Sequence, residues 1–153
     1  MIETYAQNGV AIEGAGTLSV IELYRLVQRR GTIYHAQQAA AGDIVFFHNT
    51  HDANRDGRNN DWYTHVGVVE QVLGDSTIVV LSWRQGAVTR DTMNLAKPNF
   101  AEDGGRLINT PLREHRASDP PFTQYLSGEL FAGFGSMLGE INSVLVLDTW
   151  TPN

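Results

Sequence analysis

Three short runs of β-forming residues, all placed after one amphipathic helix, constrain this chain more than any other feature. Asp43 to His48 (DIVFFH) is short, apolar and rich in β formers, which reads as a buried strand. Thr64 to Leu73 and Ser76 to Trp83 read as two more strands, joined by a hairpin-type turn at Gly74-Asp75. In that hairpin Leu73 pairs Ser76, His65 falls opposite Arg84, and Ser82 falls opposite Gly67, on the face that His65 occupies. Gly67 then leaves room beside His65. Val88 to Asn94 reads as a further short strand.

The helix spans Ser19 to Arg30. Val20, Leu23, Tyr24 and Val27 line one face, and Ser19 with Glu22 forms a capping box. Arg29 and Arg30 suit the negative end of the helix dipole, and Gly31 closes it. Residues 97–125 are punctuated by Pro and Gly and read as a long excursion with at most short elements. Leu130, Phe131, Phe134, Met137 and Leu138 suggest a second helix, weakened by three glycines, and Ser143 to Asp148 a closing strand. The expected architecture is a single α+β domain over residues 1–153, with the helix packed on an antiparallel sheet.

The 153 residues suffice for a core without staples, and the chain has no cysteine. That excludes disulfides, thiolate zinc sites and a cysteine nucleophile. A net charge of −6 argues against nucleic acid or an anionic membrane as partner. No segment reaches transmembrane length, and no signal-peptide pattern opens the chain.

Between the first two strands, Asp52, Asn54 and Asp56 stand at positions one, three and five of a calcium-type loop, with Gly57 at six. The Arg58 carbonyl would supply position seven. Position twelve is Tyr63, so Asn60 or Asp61 would close the site. A turn-rich surface loop is the alternative, since Asn, Asp and Gly favour turns anyway. A second metal reading gathers His48, His51 and His65 around zinc. His35 and His115 read as surface residues.

The helix, Ala41-Gly42-Asp43-Ile44-Val45-Phe46-Phe47, Thr64-His65-Val66-Gly67-Val68-Val69 and Ile78-Val79-Val80-Leu81-Ser82 together resemble the CHAP and NlpC-type papain-like cell-wall hydrolases. The resemblance covers roughly residues 10–95, and 97–153 would be an extension. In that family a cysteine at the helix start attacks an amide carbonyl, a strand histidine deprotonates it, and a polar residue on the next strand orients the histidine. By position His65 would be the base and Ser82 the orienting residue. The cysteine would fall near Gly16 or Thr17, and none is there.

The resemblance therefore implies a catalytically silent domain that binds a peptide, peptidoglycan or a protein partner. Calcium loops beside the site in some CHAP members agree with the Asp52–Asp56 reading. Two alternatives stay open. One is an active amidase or endopeptidase using Thr17 or Ser19 with His65; the other is a structural module whose groove is filled by Trp62, Trp83 or the excursion. A bacterial envelope or secreted location is implied by the resemblance alone.

Overall fold

The computed structural model describes residues 18–137. Gly16, Thr17, Leu138 and the expected strand Ser143–Asp148 lie outside the described residues. Helix α1, Val20–Arg30, starts as its sequence dictates: the Ser19 N–H donates to the Glu22 carboxylate at 2.8 Å, and the Glu22 N–H donates back to Ser19 Oγ. It ends where the Gly31 N–H bonds the Val27 carbonyl.

Strands β1 (Thr32–Tyr34), β2 (Ile44–Phe47), β3 (His65–Val72), β4 (Ile78–Arg84), β5 (Ala87–Met93) and β8 (Phe131–Ser136) form one sheet in the order β1-β8-β2-β3-β4-β5. Every neighbouring pair is antiparallel. A small second ribbon pairs β6 (Glu102–Asp103) with β7 (Arg106–Leu107). Among the described residues the fold is α+β, one helix against an antiparallel sheet.

Alternation along the strands divides the apolar residues between two faces. Ile44, Phe46, Val66 and Val68 join Leu23 and Val27 of α1 on one face. Val45, Phe47, Val69, Val80, Met93 and Phe134 pack on the other, closed by Leu112 and Leu130 from the segment after β5. β2 lies between β8 and β3, so all four of its residues are buried.

The β3–β4 hairpin keeps the expected Gly67–Ser82 pairing, but by a different route. The connection has three residues, Gly74-Asp75-Ser76, with Ser76 at φ 66° and the Leu73 N–H bonded to the Thr77 carbonyl. A bulge at Glu70 then adds one residue to β3, and the two offsets cancel by Val69–Val80.

The expected helix over 130–138 is instead strand β8. Its glycines mark the strand: a Cβ at Gly135 would lie 2.7 Å from Val27 Cγ1, and Gly133 takes φ 148° at the bulge between Phe46 and Phe47. Helix α1 and the His35 ring occupy the space those side chains would need. Residues 131–136 of the expected extension are thus part of the sheet.

Candidate functional site

His65 is the first residue of β3, paired with Phe47 of β2. Because Val66 turns toward α1, His65 turns toward the opposite face, where its ring lies 6.0 Å from that of Phe47. There it lines a cleft of about 360 Å³. The β2–β3 loop contributes Thr50, His51 and Asp52; the end of β4 contributes Trp83 and Arg84; the returning chain contributes Arg113.

His65 Nε2 is buried and has no hydrogen-bond partner. Burial holds its pKa below the usual histidine value, opposed by the charge of Asp91 and reinforced by Arg84 and His51. The imidazole is therefore neutral near pH 7, with one N–H and one lone pair.

Ser82 sits opposite Gly67 and Thr89 but does not bond the imidazole. Its hydroxyl donates to Asp91 Oδ2 at 2.7 Å, Thr89 Oγ1 donates to the same oxygen, and Arg84 Nη1 donates to Oδ1 at 2.8 Å. Asp91, buried on β5, is the hub that sequence reasoning missed. A signal was present: an acid between Thr89 and Met93, at the inward-facing positions of a strand already identified. The expected space beside Gly67 is also filled, since a Cβ there would meet Val80 Cγ1 at 2.4 Å and the Leu81 carbonyl at 2.9 Å.

Ser19 is not brought to His65. Its hydroxyl bonds the Glu22 carboxylate at 2.7 Å, and α1 packs on the face His65 turns away from. Among the described residues no hydroxyl is hydrogen-bonded to His65.

The three histidines of the zinc reading are not gathered as one centre: His51 shares the cleft with His65, but His48 does not line it. The His48 ring is edge-on to Trp62 and Tyr63, and its Nδ1 accepts the Tyr63 N–H at 2.9 Å, committing that lone pair. His51 is exposed and touches Thr50. His35 donates to the Ala132 carbonyl, and His115 stacks on Tyr125.

The Asp52–Asp61 loop curls on its own carboxylates. Asp52 accepts the N–H groups of Asp56 and Gly57, and Gly57 takes φ 72°. Asn54 Oδ1 also accepts the Asp56 N–H, while Asp56 accepts Arg58 N–H and Asn60 Nδ2. The Asn60 bond is the main reason the Asp56 pKa is lowered. Asp61 Oδ1 accepts the Asn54 N–H, but Asp61 Oδ2 is buried without a partner. Among the described residues no three His, Asp or Glu side chains stand gathered as a metal centre.

A clasp fixes the far wall of the cleft. Arg113 Nη1 donates to the Asn49 carbonyl and Nη2 to Asp119 Oδ1, each at 2.9 Å. Asp119 Oδ2 accepts the Arg116 N–H and the Tyr125 hydroxyl. These bonds, the Arg116 N–H first, hold the Asp119 carboxyl down to about 2. Trp83 stands 65 % exposed at the cleft, and Trp62 is exposed beside His48, so neither plugs the site. No family model, curated protein or solved structure matches the chain.

Proposed function

We propose that the protein is a papain-like, CHAP-type domain used for binding rather than covalent catalysis, and that its cleft receives a peptide segment of peptidoglycan or of a protein partner. The order of one capped helix, the Gly-Asp-Ile-Val-Phe-Phe strand and the His-Val-Gly-Val-Val strand supports the CHAP-type reading. The observation that carries the binding role is the position of His65: it lines an open cleft, yet no described hydroxyl is hydrogen-bonded to it. Acyl transfer needs a nucleophile within hydrogen-bond reach of the base, and among the described residues Ser19, one of the two expected hydroxyls, is bonded to Glu22 instead. The open cleft favours a ligand over a purely structural role.

Calcium belongs to the same proposal. Asp52, Asn54, Asp56, the Arg58 carbonyl, Asn60 and Asp61 are the oxygen ligands, and the orphaned Asp61 Oδ2 supports it. The ion would stiffen the loop that forms one wall of the cleft.

The test is titration with soluble peptidoglycan fragments, followed by NMR for binding and mass spectrometry for cleavage. Saturable shifts at His65 without product are expected. Product that vanishes in His65→Ala would establish the hydrolase reading instead, and no binding would reject this ligand class. In parallel, millimolar calcium should raise the melting temperature of chelator-stripped protein, and Asp61→Asn should remove the rise. A flat response in the wild type rejects the ion.

A further inference from the structure

We infer that the cleft contains a preset receptor for one oxyanion group, a carboxylate or a phosphate, formed by the guanidinium groups of Arg84 and Arg113. The inference deepens the binding reading above and rests on it for the location of the ligand. Both side chains line the same cleft as His65. Each is already aimed by two bonds. Arg84 donates to Asp91 Oδ1 and to the Pro111 carbonyl; Arg113 donates to the Asn49 carbonyl and to Asp119 Oδ1.

A guanidinium has five N–H donors in a rigid plane, so two bonds leave three unspent on each. The acids that aim them are themselves occupied. Asp91 accepts from Ser82, Thr89 and Arg84, and Asp119 accepts from Arg113, Arg116 and Tyr125. They hold the forks in place without filling them.

Fixing the fork in advance removes most of the side-chain entropy that an arginine otherwise loses on binding. Arg116, exposed at the same cleft, adds a third guanidinium; the carboxylates there are exposed Glu114, half-buried Asp52, and Asp119, which is engaged with Arg113. His65, kept neutral by burial, neither repels a cation nor strongly attracts the anion. Since the whole chain carries a net charge of −6, attraction is short-range, and selection comes from the planar forks rather than from long-range steering.

The experiment uses the full chain with three probes: N-acetyl-dialanine with a free carboxylate, the same peptide as its C-terminal amide, and inorganic phosphate. The acid should bind about tenfold tighter than the amide, the usual advantage of a charge-assisted pair. Arg84→Lys keeps a cation beside Asp91 but lacks the planar fork, so it should reduce that preference to under about threefold. Equal affinity for acid and amide, or a preference that survives Arg84→Lys, overturns the receptor.

The wild-type comparison needs no variant and stands even where Arg84→Lys fails to fold. Phosphate competing with the acid identifies a receptor open to tetrahedral anions; no competition identifies one restricted to carboxylates. The outcomes also separate the two readings. Equal binding of acid and amide keeps the peptide cleft and removes the receptor; phosphate binding with no peptide binding keeps the receptor and removes the peptide cleft. No binding of any probe removes both.

Discussion

Replacing Asp91 with alanine is the sharpest perturbation of the site that leaves its surface intact. The Asp91 side chain is 5 % exposed, and its two oxygens serve Ser82, Thr89 and Arg84. Removing one member of a buried ion pair costs about 3–5 kcal/mol, because the other is left uncompensated. Arg84 is 25 % exposed and keeps its bond to the Pro111 carbonyl, so water recovers part of its loss. Ser82 is buried and recovers nothing from water.

The net expectation is about 2–3 kcal/mol of lost stability, or a fall in Tm of roughly 6–10 °C for a domain of this size. Urea unfolding measures it, and a cycle with Arg84→Ala isolates the pair. A second readout follows from the field of the carboxylate. Asp91 raises the His65 pKa, so its removal should move the histidine titration, followed by NMR, further below the ordinary value. A stability loss under about 0.5 kcal/mol together with an unmoved His65 titration would refute the assignment of Asp91 as the hub.

Gly67→Ala places a methyl against Val80 and the Leu81 carbonyl, where β4 has no room to retreat; a loss of about 1–3 kcal/mol in urea unfolding is expected, and near-neutral behaviour would contradict the register. Acid should destabilise the fold in a defined window. Burial depresses the pKa of His65 and of His48, so the unfolded chain gains protons near 6.5 that the folded chain takes up only at lower pH. Stability should therefore fall as pH drops below 6.5, and His65→Gln should flatten that slope; a slope unchanged by His65→Gln contradicts the burial of the imidazole. Ser19→Ala should cost about 1 kcal/mol through the lost cap while leaving affinity at the cleft unchanged. A loss of ligand affinity without a loss of stability would place Ser19 at the site after all.

What the sequence made legible follows the range of the interactions involved. The cap at Ser19 and the stop at Gly31 are local, and both stand where the residues place them. The central strand Ile44–Phe47 was legible because a run buried on both sides has no polar alternation to hide it. The Gly67–Ser82 register came out as expected only because an extra turn residue and the Glu70 bulge offset each other. Long-range placement was not legible. Glycines at 133 and 135 read as weak points in a helix, since nothing local reports the crossing of α1 over Gly135. Within the site, the inward-facing His65 was legible from its strand. The carboxylate acting on it, Asp91, showed only as an acid at an inward-facing strand position; its bonds to Ser82 and Arg84 cross to the neighbouring strand, which nothing local reports.

The place of β8 in the sheet bears on how the chain reaches its folded state. β1 and β2 are near neighbours in sequence, yet the strand between them arrives about a hundred residues later. Until Phe131–Ser136 is available, β2 presents a bare apolar edge to water and β1 lacks its one partner strand among the described residues. Closure of that gap pairs strands far apart in sequence, the kind of contact that slows folding. A chain stalled or clipped before Phe131 carries an unfilled slot with the shape and chemistry of a strand, and another chain's β8 is the segment best suited to occupy it.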